Sequence, residues 1–541
     1  MGMFLNSKAP YEICRKIIQS PYFVDKSMML AELVPAFAGM NCYYCITRPR
    51  RFGKTVMAGM TGAFFGQTDQ TDNIFETLAI AGTGVYQAHL HRHHVIFIDF
   101  SKAPRDCKSY AQYISRIENG LLKDLITDYT DCGISMDDAL WDALQKIYEQ
   151  TDQQFLFVLD EWDAVFHMPY ISAGEQREYL LFLKSLLKDQ AYVEFVYMTG
   201  VLPIARYSSG SELNMFVEYD MTSSEKFCAY FGFSDDEVSR LYEVYLRKTP
   251  CPGFGRGDLR IWYDGYYTAS GLRLYNPRSV VLALTDNQLR NYWTSSGPYD
   301  ELFYYIRHNV EDVRDDLVLM VSGESVSARI GQFTAACMEI HSREQIYSAM
   351  VVYGLLTYTS GKILIPNKEL MDNFNELLLT KDAFGYVYQL AKKSEQMLQA
   401  TLDGNTRIMT EILQFAHNTE SPIFSYNSET ELSAVVNLCY LSARNTYRVE
   451  REDRAGKGFA DFIFYPDQKN ADCIIIELKM NSTPEEAISQ IRQKQYALRF
   501  QEYNGQNPRY TGRILAVGIS YSKKTKEHSC LVQELPALDR K

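Results

Sequence analysis

No apolar run in this 541-residue chain approaches the roughly 20 consecutive positions that cross a bilayer; the longest, such as "FLFVL" and "CIII", are a fraction of that. No basic segment leads into an apolar one at the N-terminus, and Asn6 stands where a myristoylation signal after Met1-Gly2 needs Ser or Thr. The reading is a cytoplasmic protein without a membrane partner. A disulfide framework is missing too: 11 cysteines, an odd number, are scattered without pattern, as in a reducing compartment. Cys42 and Cys45 do form a CxxC, but inside the apolar "CYYCI", where buried small side chains are the better reading than redox or metal chemistry. Positive surplus is also lacking. A net charge of −12 excludes a chain that coats nucleic acid through bulk electrostatics. From residue 406 onward 18 Lys plus Arg face 17 Asp plus Glu, which leaves −13 for the first 405 residues, so any polyanion contact belongs near the C-terminus.

What is present describes a folded protein of two to four domains: 46% hydrophobic and 23% charged residues, with no repeats and no low-complexity linkers. Residues 1–220 alternate helical stretches with short apolar strands, "NCYYCIT" (41–47), "HVIFIDF" (94–100), "QFLFVLD" (154–160) and "VEFVYMTG" (193–200), the pattern of a parallel sheet covered on both faces. Residues 221–405 become mainly helical. Within them "REQIYSAMVVYGLLTYTSGKILIPN" predicts a helix, a strand, a Ser360-Gly361 turn and a second strand, a winged-helix-like unit better suited to packing than to DNA contact, since no basic recognition helix accompanies it. A third unit, 406–541, shows a helix around "ETELSAVVNLCYLSAR", strands "YRVERE", "ADFIFYP" and "CIIIELKM", a helix "PEEAISQIRQKQYALRF" and a last strand "RILAVGISY". The fold class expected is α/β: a P-loop NTPase sheet domain, a helical middle region and a C-terminal α/β domain.

"CITRPRRFGKT" ends like a phosphate-binding loop. Gly53, Lys54 and Thr55 fit the end of G-x-x-x-x-G-K-[ST], after a strand and before helix-prone "VMAGMTGAFF", while Arg48 holds the leading glycine position. Lys54 would meet the β/γ-phosphates and Thr55 would hold Mg²⁺. A GKT alone is weak, and "FLFVLDEWD" strengthens it by delivering Asp160 and Glu161 at the carboxyl end of an apolar strand, Asp160 for the Mg²⁺ shell and Glu161 to polarise the attacking water. Thr199, ending "VYMTG", is suited to sense the γ-phosphate, though a strand-end Thr with no such role fits equally.

In the third unit Glu477 and Lys479 lie two apart in "IIIELKM", on one face of a strand, and Asp461 in "ADFIF" can reach them from the neighbouring strand of a hairpin. Two carboxylates can hold a divalent metal and a lysine can position the water that attacks phosphorus. An ordinary Glu–Lys pair on a half-buried strand is the bland alternative; the apolar "CIIIELKM" argues against it, because burying both without a role is costly. His89, His91, His93 and His94 gather four of the nine histidines, but without an acid or Cys alongside they suggest packing before zinc or nickel.

With "YFVDKS" (22–27), "TRPRRFGKT" (47–55), "VLDEWD" (158–163), "TGV" (199–201), "WYDGY" (262–266) and "YNPRS" (275–279), the chain resembles the AAA-ATPase-like proteins that carry a C-terminal PD-(D/E)XK nuclease-like domain, over most of its length. In that family the loop reads RPRRFGK with Ser or Thr, so Arg48 fits; the resemblance makes Arg50 and Arg51 added cationic donors to the nucleotide, beside the alternative of solvated or ion-paired arginines. It also makes Glu431 the further acid of the metal shell, with Glu429 in reserve, and Gln490 a helper from the next helix. One departure stands out: the family's Gly-x-Gly-Arg is Gly456-Lys457-Gly458-Phe459 here. The resemblance implies ATP and Mg²⁺ as cofactors, Mn²⁺ as an option at the nuclease site, and DNA before RNA as partner, with a homo-oligomer left open. The rival reading is an ATP-dependent signalling or partner-recruiting switch whose nuclease fold is inactive.

Overall fold

The computed structural model describes residues 2–70, 72–204, 212–293, 310–331, 342–380, 385–417, 428–455, 458–500 and 510–536. Its internal contacts divide the chain into two compact units, Met1–Leu302 with Ser327–Leu370, and Phe303–Val326 with Met371–Lys541. The middle region expected from composition is thus shared between two cores.

In the first unit β1 (Tyr43–Thr47), β2 (His94–Asp99), β3 (Phe155–Asp160), β4 (Val193–Gly200) and β5 (Val217–Tyr219) form one sheet in the order β2-β3-β4-β1-β5, with every pairing parallel. The four apolar runs of the sequence became β1 to β4. β5 was not anticipated, because "VEY" is a half-buried edge with no apolar run to announce it. All five residues of β1 and all six of β3 are buried, as a sheet with helices on both faces requires. The crossover helix Lys54–Phe65 is apolar around most of its circumference and packs against β2, β3 and β4; at Gly62 a Cβ would come within 2.9 Å of the Phe97 ring, so glycine sets that approach.

Two short pairs complete this unit. β6 (Tyr266–Tyr267) and β7 (Arg273–Leu274) are antiparallel. After β8 (Val326–Ser327), helix Arg343–Tyr353 opens with a capping box between Ser342 and Gln345 and stops at Gly354, whose φ of 80° suits a helix C-cap. β9 (Thr357–Thr359) and β10 (Lys362–Leu364) follow as a hairpin, and Ser360 and Gly361 turn at φ 50° and 78°, the two positive values a tight hairpin turn wants. This is the helix, strand, turn and strand read from the sequence.

The second unit holds β11 (Tyr447–Ala455), β12 (Gly458–Pro466), β13 (Cys473–Met480), β14 (Ile514–Ser522) and β15 (Glu527–Leu535), ordered as numbered; β13 and β14 are parallel and the other neighbours antiparallel. "RILAVGISY" is therefore not the last strand. β15 escaped notice because "EHSCLVQEL" is a partly exposed edge of mixed polarity. Helices Glu429–Cys439 and Pro484–Gln493 pack on this sheet, and Ile488 and Ile491 of the latter share a buried cluster with Ile463, Tyr465 and Ile475. Among the described residues no helix is long and apolar enough to cross a membrane.

Candidate active sites

The first site lies at the carboxyl ends of β1, β3 and β4, where ligands sit in open parallel sheets. Leaving β1, the chain turns at once on Arg48, a side chain only 2% exposed that donates to the carbonyls of Thr47 (2.7 Å) and Tyr219 (2.6 Å) and lies over the Phe231 ring. Where a standard loop turns on glycine, this one is braced by a buried guanidinium. Arg51 (φ 70°) and Gly53 (φ 93°) are both left-handed, and Gly53 caps the helix that begins at Lys54. A non-glycine residue held so costs about 1–3 kcal/mol, which the packing around the loop has to offset.

Lys54 is buried and its Nζ donates to the carbonyls of Arg48 (3.0 Å) and Pro49 (3.2 Å), spanning the loop it closes. Asp160, ending β3, accepts from the Thr199 hydroxyl at 2.7 Å and from the Thr55 side chain. Its other oxygen, Oδ2, is buried without a partner. Burial above all, then the charges of Glu161 and Asp99, push Asp160 up to about 7, against the two hydroxyls. Glu161 turns off the strand at φ 53°. Asp163, which sequence reasoning passed over, accepts from the amides of Val201 (2.9 Å) and Leu202 (2.7 Å) and so fixes the chain leaving β4. Burial, Arg278 and Arg50 hold the Arg51 guanidinium below its ordinary range while Glu161 opposes them, so three arginines and an acid share this rim; Arg50 lies over the Tyr353 ring at 5.7 Å.

Two of the other quoted motifs support the loop. Asn276 of "YNPRS" caps helix Pro277–Asp286 and reaches the Arg50 carbonyl. Tyr266 of "WYDGY" meets Phe52 edge-on at 4.9 Å and donates to the Gly354 carbonyl at 3.3 Å. Gly354 in turn abuts Pro49, where a Cβ would stand 2.7 Å from the proline Cβ.

The second site is at the junction of β12 and β13. Asp461 accepts from the Leu478 amide at 2.6 Å, which ties the acid of one strand to the backbone of the next. Glu477 is buried; its Oε1 accepts from Lys479 Nζ at 3.2 Å and from the Gln490 amide, and its Oε2 is buried without a partner. Glu477 is paired in register with Gly518 of β14, where a Cβ would strike the Pro484 carbonyl at 2.2 Å. That close approach carries helix Pro484–Gln493 over the strand and delivers Gln490. Burial first, then Asp461's charge, push Glu477 up to about 7, and Lys479 opposes. Asp461 rises to about 6, through burial and the charge of Glu429, with the Leu478 amide, Lys479 and Arg451 opposing. Glu429 and Glu431 both occupy the first turn of helix Glu429–Cys439, and Glu429 is the one whose charge bears on Asp461. Tyr496 was missed: its hydroxyl donates to the Phe459 carbonyl at 2.6 Å and takes a 3.4 Å bond from Gln490. A tyrosine six residues beyond a helical Gln carried no period or motif to single it out. Gly456 and Lys457 lie outside the described residues.

Among the described residues no group of three or more His, Cys, Asp or Glu side chains is spaced to hold a metal. The histidine run does have an acid beside it, Glu194 of β4, at 2.8 Å from His93 Nδ1, with His89 Nδ1 2.9 Å from the other ring nitrogen; the rings pack on Phe37 and Phe65.

Residues 13–208 match the family described as predicted AAA-ATPase, and residues 429–529 match the PD-(D/E)XK nuclease superfamily. An uncharacterized protein in the vnfD 5′ region of Azotobacter chroococcum mcd 1 is 25% identical over 287 residues; the chain spans about half of that relative, 51%, and the match takes in 51% of this chain. Similar solved structures include the Walker-type ATPase PABY2304 of Pyrococcus abyssi (9% identity, TM-score 0.33, 64% of this chain and 94% of that one) and the Aeropyrum pernix ORC2 protein in its ADPNP–ADP complexes (11%, 0.28, 66% and 93%). The A. pernix ORC1 protein in complex with DNA is similar at 14% identity and TM-score 0.27, over 66% of this chain and 95% of that one. The chain thus joins, in one polypeptide, a predicted AAA-ATPase-like domain and a PD-(D/E)XK nuclease superfamily domain.

Proposed function

We propose that this protein hydrolyses ATP and uses nucleotide occupancy to govern a metal-dependent cleavage of polynucleotide, DNA before RNA. One observation carries the reading: each site buries a carboxylate with one oxygen satisfied and the other, Asp160 Oδ2 or Glu477 Oε2, left without a partner. Burying such an atom costs about 1–3 kcal/mol, which a cation ligand recovers. The donors are all oxygen, the type a hard divalent ion takes: Thr55 and Asp160 in the first site, Asp461 and Glu477 in the second, where an acid of helix Glu429–Cys439 would have to move in to complete the set; Mg²⁺ is expected, and Mn²⁺ accepted at the second site. Such an ion neutralises phosphate charge and acidifies bound water.

The chain's own residues do the rest. Lys54 exchanges its carbonyl partners for β/γ-phosphate oxygens, Arg50 and Arg51 add positive charge at the rim, Thr199 holds Asp160 in place, and Glu161 receives the proton of the attacking water. In the second site Gln490 and Lys479 fix Glu477 Oε1, and Lys479 orients water toward phosphorus. Separate variants test this in the full chain with ATP, Mg²⁺ and a mixed-sequence DNA. Lys54→Ala is expected to lower ATP hydrolysis at least ~100-fold, and Lys479→Ala to abolish cleavage with ATP hydrolysis intact. A wild-type chain that hydrolyses ATP and cuts neither DNA nor RNA would hand the case to the partner-recruiting switch.

A further inference from the structure

Phe459, at the start of β12, is 63% exposed and is the only exposed phenylalanine among the described residues. A ring left in water forgoes roughly 1.5–3 kcal/mol of burial. Its backbone is held firmly: Tyr496, itself buried, donates to the Phe459 carbonyl at 2.6 Å, Phe459 pairs with Arg454 in the β11–β12 ladder, and Gly458 sits against the Tyr496 hydroxyl with room for a Cβ only at 3.1 Å. The ring is therefore presented on a rigid strand. Asp461 lies two residues on, a strand distance of about 7 Å. Lys494 packs on the other face of the strand, its Cδ 3.5 Å from where a Gly458 side chain would begin, while Lys479 stands beside Glu477.

An exposed aromatic face two residues along the strand from a phosphodiester-handling site that carries a lysine suits single-stranded nucleic acid: charge tracks the backbone and the ring stacks a base whatever its identity. Paired bases inside a duplex offer no free face unless flipped, at a cost of a few kcal/mol. We propose that Phe459 is a base-stacking platform for the Asp461–Glu477–Lys479 site and that the polynucleotide taken there is single-stranded. This rests on the nuclease reading above.

The test uses the full-length wild type, Phe459→Ala, Phe459→Trp and, as a dead control, Glu477→Gln. Cleavage is followed with Mg²⁺ on a single-stranded oligonucleotide and its duplex, and binding with Ca²⁺ through the fluorescence of a 2-aminopurine placed in the single strand. Expected are wild-type preference for the single strand, quenching of the 2-aminopurine, retention of both in Phe459→Trp, and in Phe459→Ala a loss of quenching with a 5- to 100-fold drop in single-strand cleavage, the equivalent of a stacking increment of about 1–3 kcal/mol. Equal cutting of duplex and single strand by the wild type, or unchanged quenching and cleavage in Phe459→Ala, overturns the platform while leaving the nuclease standing. Wild-type cleavage no higher than that of Glu477→Gln overturns both.

Discussion

At the scale of single residues, buried charge is where this chain departs from ordinary packing, and Glu369 shows that it serves structure as well as chemistry. Its carboxylate accepts from the Ser279 hydroxyl (2.9 Å) and the amides of Tyr292 (2.7 Å) and Trp293 (2.9 Å), so it ties the segment after β10 to helix Pro277–Asp286, whose cap reaches the Arg50 carbonyl. Burial, outweighing these donors, pushes Glu369 up to about 7 from 4.5. The folded protein then keeps a proton that the unfolded chain has released, so stability that is whole at and below pH 4.5 drains away as pH climbs to about 7, by at most ~1.4 kcal/mol per pH unit. Urea midpoints of wild type and Glu369→Gln between pH 4.5 and 8 check this. The variant is expected to have the flatter profile, and parallel profiles would show that Glu369 stays charged throughout. That Asp160 and Glu477 are buried charges could be read from sequence because each follows directly on an apolar run, where a charge has to be explained. Arg48 could not: that an arginine can brace a loop in glycine's place follows from Tyr219 and Phe231, both far away in sequence.

At the scale of elements, the loop between β1 and helix Lys54–Phe65 is held by packing from three directions rather than by its own conformational freedom. Gly354 is the tightest of these contacts, with a left-handed φ of 80° and only 2.7 Å between a would-be Cβ and Pro49. Gly354→Ala is expected to displace the loop, raising the Kd for an ATP analogue at least ~10-fold, and to lower stability by about 1–3 kcal/mol. Isothermal titration and thermal melts read the two effects separately; an unchanged Kd would mean that the loop does not depend on this contact. Strands β1 to β4 were legible because continuous apolar runs of that length have one sensible place, a sheet covered on both faces. β5 and β15 were not, since an edge strand keeps one side in water and its alternation dissolves into polar sequence.

At the scale of the whole molecule, the second unit is assembled from two separated stretches of chain. Helix Val310–Val321 packs on helix Glu429–Cys439; beside it Glu324 pairs with Arg451 at 3.2 Å and the Val321 carbonyl accepts from Asn437. Composition gave no hint of this, because a helix that belongs to a distant core has the same pattern as one that belongs to a near one. A fragment Met371–Lys541 is expected to melt lower, by several degrees, than the same fragment with Phe303–Val326 joined to its N-terminus. Equal melting by circular dichroism would make the earlier stretch dispensable.

The divided second unit also has a bearing on biosynthesis. A polypeptide emerges from the ribosome at roughly 5–20 residues per second and folds as its domains become complete. Val310–Val321 leaves the tunnel well before the helix it covers has been translated, whereas the ATPase-like unit has its last segment by Leu370. The nascent chain must therefore carry this helix without its packing partner until Glu429–Cys439 is made, so the second unit cannot close before that point.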